Sequence, residues 1–147
     1  MKISTRGRYA LRLMLDVAMQ GQEAPVRIKD IAQRQEISEK YLEQIVSVLN
    51  KAGLVRSIRG PQGGYRLMRA PEDYTVGSIL RVIEGSLAPV ACMDTDINDC
   101  PRQKKCSTLR LWSMLNEAIE NVVEHVTLAD LVTWQQELEE NETGNDK

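Results

Sequence analysis

Cys92, Cys100 and Cys106 are the only cysteines in this 147-residue chain, and all three fall within 15 residues of one another. A thiolate is a soft donor for zinc or iron–sulfur centres and a nucleophile in redox exchange. Three cysteines cannot all pair within one chain, and Cys100 and Cys106 do not sit in apolar runs. The residues between them, Met93 to Asp99 and Pro101 to Lys105, read as loop. Arg102, Lys104 and Lys105 would favour thiolates there. Clustered cysteines on a loop point to metal binding or redox chemistry before a structural disulfide. Spacing alone leaves zinc and an iron–sulfur cluster both open. The single histidine, His125, lies 19 residues past Cys106 and reads as a surface or interface residue.

A second chemistry is nucleic-acid recognition. A helix predicted from about Ser38 to Ala52 turns Glu39, Lys40, Tyr41, Glu43, Gln44 and Ser47 outward. Gln44 can pair with adenine, and Glu43 can accept from a cytosine amino group. On its own such a face is equally an ordinary solvated one. The next segment of the chain decides between them. Leu54 to Arg59 and Tyr65 to Arg69 read as two strands around the turn-rich Gly60-Pro61-Gln62-Gly63-Gly64. A hairpin directly after such a helix is a wing. Arg59 at its tip can enter a narrow minor groove, and Arg56, Arg66 and Arg69 add phosphate contacts.

These groups need a scaffold. Positions 10, 13, 14, 17 and 18 form one apolar stripe of a first helix, which Ser4 or Thr5 can cap and Gly21 ends. Arg6, Arg8 and Arg12 lie mostly off that stripe, where they can touch phosphate or solvent. A short helix over Ile28 to Gln35 precedes the longer one, whose inward residues are Leu42, Ile45, Val46 and Leu49. Ser38 is its N-cap and Gly53 its left-handed stop. Short helix, tight turn and longer helix make a helix-turn-helix, with the second helix for recognition. With no Phe in the chain, Leu, Ile, Val and Met must fill the core.

Charge divides the chain. Residues 1–70 hold 13 Lys/Arg against 6 Asp/Glu, a net of +7, and residues 71–147 hold 6 against 15, a net of −9. A basic half joined to an acidic half suits a polyanion-binding module with a separate partner or sensor element. In the second half, Val76 to Glu84 reads as a short helix and Ser107 to Val126 as a long one, roughly 30 Å at 1.5 Å per residue. Trp112, Leu115, Ile119, Val122 and Val126 recur at coiled-coil spacing and are the expected dimer seam. Leu128, Leu131 and Val132 start a last short helix, and Glu139 to Lys147 reads as a polar, frayed tail. No nucleotide-binding loop, no Ser–His–acid set and no Cys-x-x-Cys is present, so an enzyme is not expected. The charged start lacks an apolar signal region and no apolar run could span a bilayer, so a cytoplasmic protein without membrane contact is expected.

Several motifs together resemble one family. Ser4-Thr5-Arg6-Gly7-Arg8-Tyr9-Ala10, Tyr41-Leu42-Glu43-Gln44 and Arg59-Gly60-Pro61-Gln62-Gly63-Gly64-Tyr65 resemble the Rrf-two family of bacterial regulators. Val76-Gly77, Cys106 with Trp112 after it, and Thr127-Leu128-Ala129-Asp130-Leu131 continue the likeness to about residue 132. The resemblance implies a dimeric transcription factor, usually a repressor, with Tyr41, Glu43, Gln44 and Arg59 at the DNA and Glu43 choosing between operator classes. It also implies that Cys92, Cys100 and Cys106 hold a [2Fe-2S] cluster. Two departures stand out. The seven-residue gap between Cys92 and Cys100 is longer than the family's usual one, and Leu109 stands where cluster-binding members place a fourth, histidine ligand. Nitric-oxide-sensing relatives use an N-terminal acidic residue instead, where this chain has Arg8. Asp94, Asp96 and Asp99 are therefore the candidate oxygen ligands.

The expected fold is mainly α with a small β-wing: a winged helix-turn-helix over residues 1–86, a cysteine-bearing sensor loop over 87–106, a dimerisation helix and C-terminal helix over 107–138, and a flexible tail over 139–147. The expected DNA-binding residues are Ser38, Lys40, Tyr41, Glu43, Gln44, Arg56, Arg59, Gly60, Gln62 and Gly63. The expected partners are a double-stranded DNA operator, a second copy of the chain, and iron–sulfur assembly proteins that deliver the cluster. The expected role is repression of iron–sulfur assembly genes. Alternatives are a nitric-oxide-sensing or cysteine-metabolism regulator, or a zinc- or thiol-stabilised interaction protein.

Overall fold

The computed structural model describes residues 2–145. The first helix, α1 (Thr5–Gln20), starts where the Ser4 hydroxyl accepts from the Gly7 amide at 3.0 Å. It stops at Gly21, whose N–H reaches back to Val17. Its stripe of Ala10, Leu13, Met14, Val17 and Ala18 is fully buried and forms the spine of the core. The short α2 (Ile28–Gln35) ends at Glu36 with φ 55°, the left-handed residue that makes the tight turn. Ser38 then caps α3 (Glu39–Lys51) by accepting from the Tyr41 amide at 3.2 Å. Leu42, Ile45, Val46 and Leu49 bury the inner face of α3, and Gly53 comes after it at φ 75°, as its type and position predict.

The wing is an antiparallel pair, β1 (Val55–Ile58) and β2 (Gly64–Leu67), with Val55 opposite Leu67 and Arg56 opposite Arg66. A third segment joins it: Val26 pairs with Tyr65 through both backbone bonds, at 2.9 and 2.8 Å. Gly64 allows that approach, because a Cβ there would stand 2.6 Å from the Val26 carbonyl oxygen. The sequence did not reveal this bridge, since a single paired residue leaves no alternating pattern. Tyr74 closes the base of the wing. Its buried hydroxyl donates to the Leu54 carbonyl at 2.6 Å and accepts from the Met68 and Arg69 amides at 2.9 and 3.2 Å.

The Thr75 side chain caps α4 (Val76–Glu84) through the Ser78 amide. The segment from Gly85 to Thr108 has only two short 3₁₀ turns, Ala91–Met93 and Gln103–Lys105. Then come α5 (Leu109–His125) and α6 (Leu128–Asn145). A small second cluster of Leu80, Leu87 and Val123, with Ile119 packed against it, binds α5 to α4. On α4, Arg81 fastens α5 further through ion pairs with Glu120 at 2.8 Å and with Glu124.

Two expectations change here. First, α6 is not a short helix with a tail from Glu139: it continues as helix to Asn145, and Asp146 and Lys147 lie outside the described residues. The polar run from Gln135 to Glu142 is rich in Gln and Glu, which are good helix formers, so polarity there meant exposure and not loss of helix. Second, packing does not separate a head ending at residue 86 from the C-terminal helices. Leu128 is fully buried in the first core, and Leu131 and Val132 pack against it. Backbone bonds from Val76 to Val126 and from Leu128 to Tyr74, at 2.8 and 2.9 Å, tie the start of α6 to the start of α4. No helix among the described residues is long and apolar enough to cross a membrane.

Candidate nucleic-acid interface and cysteine segment

The candidate reading face is built from the amino end of α3 and the wing tip. Ser38, Lys40, Glu43 and Gln44 are exposed, as are Arg59, Gly60 and Gln62 at the tip; Arg56, expected with them, is exposed at the root of the wing instead, beside Arg66 and Arg69. Tyr41 is half-buried because its ring meets Tyr9 edge to face, with centroids 5.7 Å apart. That contact joins the first turns of α1 to the first turn of α3. Ser38 has its hydroxyl engaged as a cap and so sets the entry angle of the helix. Gly63 departs from expectation: it is buried, and its N–H donates to the Gly60 carbonyl at 2.9 Å. Its place beneath the turn comes from geometry, since a Cβ there would meet the Ile58 carbonyl oxygen at 2.2 Å. Gly60, at φ 106°, is the residue that turns the wing tip outward.

Several contributors went unread in the sequence. Arg27 donates to the Pro61 carbonyl and so pins the wing tip to the start of α2. Asp16 is the one buried charged residue of the described chain, 3% exposed. Arg34 grips it with Nη2 at 2.8 Å and Nε at 3.1 Å, and the Gln35 amide donates to it at 3.0 Å. The Asp16 partner holds the Arg34 guanidinium above its ordinary range. Gln35 also accepts from Arg12, whose guanidinium lies 5.4 Å from the Tyr9 ring centroid. Arg12 therefore serves the joint of α1 with α2 and is not a free phosphate contact. An apolar residue pattern cannot show such a network, because every member is polar.

Cys92, Cys100 and Cys106 are free and half-buried along the segment between α4 and α5. The Cys106 thiol is held below its ordinary value chiefly by the Thr108 hydroxyl, 3.3 Å away, then by backbone N–H groups and the charge of Arg102. By type, three thiols and nearby cations fit a thiolate-held iron centre. Their arrangement does not close a coordination sphere: among the described residues no three His, Cys, Asp or Glu side chains form a group that could hold a metal ion. Thiolates repel one another, and ligand loops commonly gather only as the metal binds. Asp94, Asp96 and Asp99 are exposed on the same segment, and Leu109 opens α5. His125 bonds the Asn121 carbonyl of its own helix at 2.7 Å, as a surface histidine does.

The expected dimer seam divides in two. Leu115 and Val122 are exposed, at 39% and 60%. Trp112, Ile119 and Val126 are half-buried, with Ile119 turned toward Leu80 and Val123 of its own chain. Leu111 and Met114 join the exposed set instead. Beside it runs an apolar groove of about 360 Å³ lined by Ile3, Leu80, Leu87, Ala118 and Val122.

Comparison with known proteins accords with this architecture. Residues 3–133 match the Rrf2 family model, described as an iron-dependent transcriptional regulator. The chain is 47% identical to the protein rrf2 of Nitratidesulfovibrio vulgaris over 132 residues, covering 90% of this chain and 87% of that one. It is similar to the solved structure of CymR, the global cysteine regulator of B. subtilis, with TM-score 0.76 and 42% identity over 91% of this chain and 98% of that one. It is also similar to the structure of T. potens IscR, with TM-score 0.75 and 43% identity over 94% of this chain and 90% of that one. Further relatives at 41–42% identity, IscR of Vibrio parahaemolyticus and CymR of Bacillus subtilis, are named HTH-type transcriptional regulators. Helix-turn-helix, glycine-rich wing and returning C-terminal helix thus coincide with a match across nearly the whole sequence, and the chain belongs to the Rrf2 family of transcriptional regulators.

Proposed function

We propose that this regulator is a homodimeric repressor that reads a pseudo-palindromic DNA operator. The observation that carries this reading is the exposed row Lys40, Glu43 and Gln44 on α3 together with an exposed wing tip, Arg59 to Gln62, which Arg27 pins to the start of α2. Lys40 and Arg59 supply charge to a phosphate-lined groove, and Gln44 and Glu43 supply base-edge acceptors and donors. The exposed stripe of Leu111, Met114, Leu115 and Val122, next to the apolar groove, supports pairing with a second copy along α5. Two copies then present two recognition helices to two half-sites. Selection from a random duplex library tests this. Enrichment of a two-fold symmetric site is expected, and no enrichment over input would overturn it.

The regulated genes are those for iron–sulfur assembly, and the signal is cluster occupancy at Cys92, Cys100 and Cys106. A bound [2Fe-2S] cluster would make the segment responsive to iron supply and redox state. In support, the three thiols lie between α4, which packs on the head, and α5, which bears the stripe. Ordering that segment therefore bears on how two heads are spaced. The fourth ligand is an aspartate of the enlarged loop or an exchangeable group, and iron–sulfur assembly proteins deliver the cluster. Protein prepared anaerobically should show visible absorbance with iron and sulfide, and Cys→Ala at any of the three should abolish it. Stoichiometric zinc without sulfide overturns the cluster. The second reading, a regulator of cysteine metabolism, is favoured by the equal likeness to CymR and by Leu109 in place of a histidine ligand.

A further inference from the structure

A cavity of about 290 Å³ opens at the root of the wing, between the last turn of α1 and β2. Its polar lining is Arg56, Arg66, Arg69 and Gln22, and Val17 and Leu67 give it an apolar floor. No Asp or Glu lines it. None of the three arginines takes part in an ion pair among the described residues. The fold itself concentrates this charge. Arg56 and Arg66 are direct cross-strand partners, a placement in which like charges repel. The Arg69 guanidinium is fixed 4.7 Å from the ring centroid of buried Tyr74. Arg66 donates from Nη2 to the Glu23 carbonyl at 2.8 Å, while its buried Nε has no acceptor. A buried donor without a partner is costly. The carboxyl end of α1 contributes about half a negative charge nearby, a fraction of what three guanidiniums carry.

Three cations held together against their own repulsion, above an apolar floor and in a concave space, have the composition of an anion site. We propose that the wing root binds a small organic anion with two or more negative charges, a polycarboxylate or a phosphate ester, whose hydrocarbon part lies over Val17 and Leu67. The DNA backbone fits the cavity less well. Nothing from α3 or from the tip between Arg59 and Gln62 lines it. The end of α1 that does line it is opposite to Tyr9, whose ring packs on Tyr41 in the first turn of α3. This binding does not depend on the chain's reading an operator.

The test uses the full chain titrated with citrate at constant ionic strength, followed by calorimetry and backbone amide NMR. Sodium chloride serves as the control, and inorganic phosphate is a second arm that separates carboxylate from phosphate recognition. Saturable binding of either anion, one per protomer, is expected, with shifts at Gln22, Arg66 and Arg69. Arg56→Gln and Arg66→Gln should each weaken it by about tenfold or more, the value of a charge-assisted hydrogen bond. Arg56 is exposed, so its variant stays informative even if Arg66→Gln fails to fold. Arg59→Gln should leave the affinity unchanged, and the anion should stay bound when operator duplex is added. The proposal is overturned if neither anion saturates, if Arg59→Gln loses as much as Arg56→Gln, or if duplex expels the anion.

Discussion

At the scale of single residues, the proposed reading face gives Glu43 and Arg59 different tasks. Glu43 is exposed on α3, where an acceptor meets a base edge, and Arg59 is exposed at the wing tip. Arg59→Ala should therefore weaken binding to all operator sequences alike. Glu43→Ala should relax the preference among them by about 1–3 kcal/mol, the worth of a good base contact. Anisotropy titrations against operator and single-base variants check both, and an unchanged sequence profile for Glu43→Ala removes it from the reading face. Asp16 and Arg34 make a different prediction. Removing Asp16 frees a guanidinium that is already 39% exposed, whereas removing Arg34 leaves a carboxylate that is 3% exposed with Gln35 alone. Arg34→Ala should cost about 3 kcal/mol, and Asp16→Ala less, because Arg34 returns to water. Urea midpoints followed by Trp112 and Trp134 fluorescence give the order, and a larger loss for Asp16→Ala contradicts it. The cap at Ser38 and the stop at Gly53 were legible from residue type and position, and the cap of α1 as one of Ser4 and Thr5, because each does its work within four residues of itself. Asp16 was not, because a buried carboxylate on an otherwise apolar stripe looks like any surface carboxylate until its partner on another helix is known.

Among the elements, the wing shows how a two-stranded ribbon, marginal by itself, is made rigid. Val26 extends it on one side, Arg27 holds its tip, and the Tyr74 hydroxyl collects three backbone groups at its base. Tyr74→Phe keeps the ring under Arg69 but takes the acceptor from the Arg69 amide and leaves the Leu54 carbonyl and the Met68 amide only their long mutual bond of 3.4 Å. It should cost about 1–3 kcal/mol, together with faster hydrogen exchange at Met68 and Arg69. Exchange rates equal to those of the parent would show that the base of the wing does not depend on this hydroxyl. The strands themselves were readable from alternation and the glycine-rich turn. Their anchors were not, since Val26, Arg27 and Tyr74 lie outside the hairpin and act through single contacts. The helical stripe of α5 was likewise legible as a stripe, but not the way it faces. Ile119 turned inward because α4 offers Leu80 and the segment after it offers Leu87, a fact of packing that periodicity does not contain.

For the whole molecule, assembly should depend on the outward part of that stripe. Leu115→Glu places a charge on an exposed apolar face that a second copy would desolvate. The variant should sediment as a monomer at concentrations where the parent is a dimer, with unchanged helical circular dichroism. A stable dimer would place the interface elsewhere. Ile119→Glu is the less informative change, because Ile119 also packs within its own chain. The return of α6 to the head has a further consequence, which concerns time. The ribosome releases residues 5 to 84, which hold α1 to α4, long before Leu128, a fully buried member of the core that α1 and α3 share. Until that leucine emerges, the nascent head carries an open apolar face and cannot close around Tyr74. By then α5 has already been made. A head with a complete core is thus born with α5 attached, and on the proposed reading a chain cut short before Leu128 would not accumulate as a folded single head that competes for operators.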